Sequence, residues 1–277
     1  SSTSLGDTMM RLGASTIPHR TEPLTRSVLE SYHAAGIESL ELCDYHPNFT
    51  YDDTSFRTDL GEALRELEFH LNSIHIHLRH RDASCDLANV DAAHREQAVA
   101  AHRQAVDFAA ELGGCILVTH DIDIPGPDDA ESSTRRAVFV DGVGAVAAYA
   151  EAKGVRLALE NLGSGYTREP DRLVALMADI GADNVGVVID TGHRNLSGDP
   201  ANALRTVGQH LITLHLHDNH GARDEHLLPG QGAIDWADTM RALSAIDYTG
   251  VFMYEIMRPE DLTELPGNAQ WIQQSNA

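Results

Sequence analysis

At 277 residues and 42% hydrophobic content, the chain can bury a large core, and its length suits one α/β barrel of about 250 residues as well as two smaller domains. Acidic residues outnumber Lys plus Arg by 42 to 20, for a formal net charge of -22, and Lys153 is the only lysine. Such a surface repels polyanions, so neither nucleic acid nor an anionic membrane is expected as a partner, and the acidic excess fits a very soluble protein adapted to high salt.

The three cysteines, Cys43, Cys85 and Cys115, are widely separated and odd in number, which argues against a disulfide framework or a CxxC zinc ribbon. No basic segment leads into an apolar run, and no apolar stretch approaches the roughly 20 residues of a membrane span, so a cytoplasmic location is expected.

Taken in chain order, apolar β-rich runs alternate with helical stretches. Strands are predicted over 9–15, 37–43, 71–77, 115–120, 155–160, 185–190, 211–217 and 251–255. Helices are predicted over 24–35, where Gly36 stops the first, over 55–68, 90–112, 133–152 and 236–245, with another starting near Pro170. Eight strands separated by helices point to a single (β/α)8 barrel over 1–277, because parallel neighbours need crossovers and both faces of the sheet need cover. The last stretch, LTELPGNAQWIQQSNA, is short and polar, and predicts a weak or incomplete eighth helix that a homodimer partner would help to cover.

In such a barrel, catalytic residues gather at the C-terminal ends of the strands. Polar residues end these apolar runs: His75 and His77 in the third strand, His120 in the fourth, Glu160 in the fifth, Asp190 in the sixth, His215 and His217 in the seventh, Glu255 in the eighth. A carboxylate closing LALE or FMYE is costly to bury unless it is paired, hydrogen-bonded or bound to a cation. Each alone could be an ordinary satisfied polar group; Glu160, Asp190, His215 and Glu255 together read as a ligand set for one divalent ion. Three carboxylates and one imidazole suit Mn, Co or Zn better than Ca, which prefers oxygen alone, with Mg also less suited.

The stretch LHLHDNHGARDEHLLPGQG follows. His215 and His217, two apart on a strand, face one way, so one can ligate while the other meets substrate or a second ion. Three residues after Asp190, His193 can turn back through Gly192 toward a substrate oxygen or a further ion. Asp224 and His226 project to one side if their segment is extended. Arg223 could hold a hydroxyl or an anion, or simply face solvent.

ALENL around Glu160, VVIDTGH around Asp190 and His193, LHLHDN around His215, D-x-H-x-x-PGxG and YEI around Glu255 resemble the xylose-isomerase-like barrel superfamily. That superfamily includes sugar phosphate isomerases and epimerases, ketose 3-epimerases, inosose dehydratases and isomerases, and endonuclease IV. The resemblance runs from the first strand to the eighth. It implies a metal held by Glu160, Asp190, His215 and Glu255, with Glu160 and Glu255 taking and returning a proton on carbon through a metal-stabilised enediolate. Substrate contacts would come from His193, His217, Arg223, His120 and His77. Where several ketose 3-epimerases carry a further Glu after the fifth strand, this chain reads NLGSGYT, so its substrate contacts must differ. The endonuclease IV branch places ligands for extra zinc ions where this chain has His120, His193, Asp224 and His226.

The expected function is therefore a divalent-metal-dependent isomerase or epimerase, or a closely related lyase, acting on a sugar, keto-sugar or cyclitol. Two alternatives stay open at this point: a multi-zinc endonuclease IV-like phosphodiesterase, which the acidity disfavours, and a non-catalytic sugar-binding barrel.

Overall fold

The computed structural model describes residues 9–78, 82, 85–120, 124–125 and 129–275. The alternation read from the sequence forms a ring of parallel strands: β1 (Leu12–Ser15), β2 (Ser39–Cys43), β3 (His70–His75), β4 (Ile116–Thr119), β5 (Arg156–Glu160), β6 (Val185–Asp190), β7 (Leu211–His215) and β8 (Phe252–Tyr254). Their order is β7-β6-β5-β4-β3-β2-β1-β8. One bridge closes the ring between β7 and β8: the Leu216 N–H donates to Met253 O at 2.8 Å, and the Glu255 N–H donates to Leu216 O at 3.1 Å. These closing bonds lie at the mouth, beside His215, His217 and Glu255.

The outer layer comprises α1 (Arg26–Ala34), α2 (Thr54–Glu66), α3 (Ala92–Glu111), α4 (Ala130–Glu151), α5 (Pro170–Ile180), the short α6 (Thr191–Asn195), α7 (Pro200–Val207), α8 (Trp236–Ala245) and α9 (Leu265–Gln274). Part of the acidic excess serves to start these helices. Asp53, Asp91, Asp129, Asp190, Asp199 and Asp235 are N-caps whose carboxylates accept otherwise unpaired backbone N–H groups and oppose the helix dipole. Pro170 and Pro200 begin their helices, and Gly181, left-handed at φ 61°, ends α5.

Strand alternation sorts side chains into two apolar groups. Leu157, Leu159, Val187, Ile189 and Leu214 belong to the large core cluster between sheet and helices. Ile116, Val118, Ala158 and Val188 form a small separate cluster inside the barrel. Because Glu160 and Asp190 lie two residues beyond Ala158 and Val188, they face the same interior one layer higher.

The final helix packs better than its composition suggests. Leu265, Ala269 and Ile272, spaced as one helical face, are buried, while Trp271 stays 51% exposed. Four polar residues expected as strand ends lie just beyond their strands: His77, His120, His217 and Glu255. At two of them side chains replace the ladder. The His77 N–H donates to the Asp44 carboxylate at 3.0 Å, and the His217 N–H donates to Thr191 Oγ1 at 3.2 Å. Among the described residues no helix is long and apolar enough to cross a membrane.

Candidate metal centre

Glu160, Asp190, His215 and Glu255 are buried at the mouth, and one ligand-capable atom from each lies within 4.8 Å of the others. His215 Nδ1 faces all three carboxylates: Glu160 Oε1 at 3.3 Å, Glu255 Oε1 at 3.7 Å and Asp190 Oδ2 at 3.9 Å. His75 joins from β3, with Nε2 3.1 Å from Glu160 Oε2 and Nδ1 3.3 Å from Glu255 Oε1.

The turn after β6 brings His193 back over this group. Asp190 Oδ1 accepts the His193 N–H at 2.7 Å, starting α6, and the ring then lies 3.3 Å from Glu160 Oε1 and 3.4 Å from Asp190 Oδ2 through Nδ1. Its Nε2 is 3.3 Å from Asp224 Oδ2, which is also 3.0 Å from His226 Nε2. His226 stacks on His217, ring centroids 3.8 Å apart, and His217 Nε2 approaches both Asp190 oxygens at 2.9 and 3.0 Å. The condition under which Asp224 and His226 would share one side, an extended segment, is not met at His226. His226 is left-handed at φ 50°, a turn fixed where its Nδ1 meets Glu255 O at 2.7 Å.

The four residues expected around a second ion separate into two groups. His120 clusters with His75 and His77, whereas Asp224 and His226 cluster with His217 and contact His193. The sheet order explains this, since β4 lies on the far side of β5 from β6 and β7. Arg223 is not brought in. Its side chain is 83% exposed, and its guanidinium lies 3.8 Å from Glu225.

Four residues without a role in the sequence reading shape the site. Glu41, on β2, reaches His215 from below, and Asp44 holds His77. Asn161 ties β5 to β6 by accepting the Asp190 N–H at 2.7 Å and donating to Asp190 O at 3.0 Å. Asp218 accepts from the backbone of Asn219, Gly230 and Ile234 and from the Trp236 indole, pinning the loop that carries Asp224 and His226. Asn161 and Asp218 stand inside quoted motifs, ALENL and LHLHDN, where position was the only available signal.

The charges are mutually balanced. Burial alone would raise the pKa of Glu160, but the His215 and His75 charges hold it well below the usual carboxylate range. Burial is likewise overridden at Glu255, by His215 and His75, and at Asp224, by hydrogen bonds from His193 and His226. Conversely, burial would lower His75, yet Glu160 and Glu255 push it up to about 10. His226 rises to about 9 through Asp224 and Glu255, and His193 and His215 rise well above 6.5 for the same kind of reason.

Glu160 Oε2, His75 Nε2, His217 Nδ1 and Glu41 Oε1 are buried without a hydrogen-bond partner. Glu160 Oε2 and His75 Nε2 approach to 3.1 Å, but without hydrogen-bond alignment. An unpaired buried polar atom costs about 1–3 kcal/mol. Unpaired carboxylate oxygens beside imidazole nitrogens, which can ligate once they give up their protons, make a mixed oxygen and nitrogen cluster that fits a donor set for a divalent cation.

A family profile described as xylose isomerase-like TIM barrel matches residues 29–275. The chain belongs to this family. Among curated relatives, the uncharacterized protein MJ1311 of Methanocaldococcus jannaschii is 32% identical over 58% of this chain and 57% of its own length. The D-psicose 3-epimerase of Agrobacterium fabrum is 30% identical over 61% and 60%, and the inosose isomerase of Bacillus subtilis is 29% identical over 40% and 43%. The chain thus covers less than two thirds of the length of these family relatives. Among solved structures, a D-tagatose 3-epimerase-like protein superposes with TM-score 0.83 at 24% identity, covering 96% of this chain and 97% of that one. A D-psicose 3-epimerase determined with D-fructose gives TM-score 0.80 at 21% identity, covering 95% and 99%. At these identities the superpositions establish the family's fold.

Proposed function

We propose that this protein is a divalent-metal-dependent isomerase or epimerase of a small sugar, keto-sugar or cyclitol, with Glu160, Asp190, His215 and Glu255 as the ligand set. The observation that carries the reading is the convergence of those four side chains, from consecutive strands, to within 4.8 Å. Relatives named as ketose 3-epimerase and inosose isomerase support the substrate class. A bound Mn, Co or Zn ion would polarise the carbonyl of a hydroxy-ketone and stabilise charge on its oxygens.

The chain's residues supply the rest. Glu160 and Glu255, both held ionised by neighbouring imidazoles in the metal-free protein, are the proposed proton-transfer pair: an ionised one takes the proton from carbon, and its partner has to be protonated before it can give one back. His193, 19% exposed and anchored by α6, is placed to hydrogen-bond a substrate oxygen. His217, His77 and His120 line the same mouth as further contacts, while the exposed Arg223 is left out of the proposed set.

The test is incubation of metal-loaded protein with a panel of ketoses and inososes in D2O. Deuterium entering a carbon-bound position, with an epimer or isomer appearing, is the expected result. Tight sugar binding without exchange would overturn it in favour of a sugar-binding barrel. A second reading, a multinuclear hydrolytic centre, is favoured by the two flanking groups, His75 with His77 and His120, and His217 with Asp224 and His226. Metal counting separates them, because one ion per chain fits the isomerase and three zinc ions fit the hydrolase. The charge of -22 argues against a nucleic-acid substrate for either.

A further inference from the structure

The His215 ring has two nitrogens, and the proposed ligand set uses one. The other, Nε2, points across the barrel to β2, where Glu41 Oε2 lies 3.0 Å away. Glu41 is fully buried, and Ser73 Oγ donates to the same oxygen at 2.7 Å. The Asn72 amide in turn donates to Ser73 Oγ and to Thr213 Oγ1, both at 3.0 Å, and Thr213 precedes His215 by two residues on β7. A chain of hydrogen bonds from β3 to β7 therefore steadies the carboxylate beneath the ring. The strand register leaves it room, because Glu41 is level with Ser15 on β1 and Ser73 on β3, both small.

We infer that Glu41 is the positioning residue for His215. A neutral imidazole carries one N–H; with a cation held among Glu160, Asp190 and Glu255 the Nδ1 side must be unprotonated, and the proton then sits on Nε2, where the Glu41 carboxylate accepts it. That choice leaves the Nδ1 lone pair aimed at Glu160, Asp190 and Glu255, fixes the ring's orientation and raises its basicity as a ligand. A fully buried carboxylate is an expensive way to fill space, and here one of its oxygens has no hydrogen-bond partner. Both of its hydrogen bonds, to His215 and Ser73, fall on the other oxygen, while Oε1 comes no nearer than 3.9 Å to His75 Nδ1, so holding the His215 ring is the closest engagement this carboxylate has. The inference rests on the reading of Glu160, Asp190, His215 and Glu255 as metal ligands.

The experiment titrates Mn2+ and Zn2+ into metal-free wild type, Glu41→Gln and Glu41→Ala against a chromophoric chelator, alongside thermal unfolding of each metal-free protein. In the zinc-loaded proteins, 15N-edited spectra follow the His215 Nε2–H. Glu41→Ala should weaken metal binding about 10- to 100-fold and lose the slowly exchanging Nε2–H signal. Glu41→Gln, which keeps an acceptor oxygen, should recover part of both. If Glu41→Ala fails to fold, Glu41→Gln decides, since its affinity should still fall and its Nε2–H resonance should still move. Wild-type affinity and an unmoved resonance in the Glu41 variants would overturn this inference alone. A wild type that binds no ion, with His215→Ala indistinguishable from it, would sink the ligand reading and this inference together.

Discussion

The Asp190 carboxylate accepts the His193 amide hydrogen at 2.7 Å, so one side chain both starts α6 and faces His215 in the candidate centre. Asn caps a helix about as well as Asp, whereas Ala loses about 1 kcal/mol. Asp190→Asn should therefore lose most of its metal while keeping α6. Asp190→Ala should lose the metal and unfold at lower denaturant when metal-free, by about 1 kcal/mol relative to Asp190→Asn. Metal analysis and urea titration of the stripped proteins check this, and full metal stoichiometry in Asp190→Asn would remove Asp190 from the ligand set.

Glu255 is reached by three imidazoles, His75 Nδ1 at 3.3 Å, His215 Nδ1 at 3.7 Å and His226 Nδ1 at 3.9 Å, and its own carbonyl also meets His226. Replacement by Gln keeps the shape and removes the base. Glu255→Gln should reduce solvent deuterium exchange into substrate by about 10²- to 10⁴-fold while retaining partial metal occupancy. The same readout applied to Glu160→Gln assigns the second proton-transfer position. Exchange at the wild-type rate in either variant would take that residue out of the chemistry.

The barrel was legible because parallel βα units repeat a strong apolar pattern, and helix 236–245 needed no adjustment. Side chains that end apolar strands were legible for the same reason: a carboxylate after LAL or FMY breaks a pattern. Glu41 escaped notice because it sits in the middle of the strand SLELC, where it looks like simple alternation; only the barrel's curvature shows that this face meets His215. Whether Arg223 meets the site or solvent was not legible, because a loop's direction is not written in local pattern, and Asp218, which pins this loop, acts on residues up to 18 positions away. The grouping of His120 apart from Asp224 and His226 required the strand order around the ring.

Gly192 shows how tightly the site is packed. A Cβ built there would overlap the His217 imidazole, whose Nε2 is engaged with Asp190. Gly192→Ala should therefore push His217 aside, costing about 1–3 kcal/mol of stability and disturbing Asp190 as well. Differential scanning calorimetry and metal titration check the pair of effects. An unchanged melting temperature with unchanged affinity would mean that the His217 ring has another place to go.

The balance of imidazole and carboxylate charge predicts how pH acts. Raised imidazoles contribute stability that is complete below their unfolded value of 6.5 and lost as pH climbs through the folded values, about 10 for His75 and about 9 for His226. Lowered carboxylates, Glu160 and Glu255, contribute stability complete above 4.5 and lost as pH falls through their depressed values. Taken alone, these groups stabilise the metal-free protein most between pH 4.5 and 6.5; His77 and His102, whose pKa values burial lowers, act the other way as pH falls below 6.5, so the decline in melting temperature is read on the alkaline side, between pH 6.5 and pH 10. Ligation demands a neutral His215, whose pKa is raised well above 6.5, so metal binding at pH 7 must expel protons and tighten as pH rises. Calorimetric titration in two buffers of different ionisation enthalpy measures that release directly. Binding without proton release at pH 7, together with a stripped protein equally stable at pH 6.5 and pH 10, would show that these imidazoles are already neutral and that the charges at the mouth are balanced in some other way.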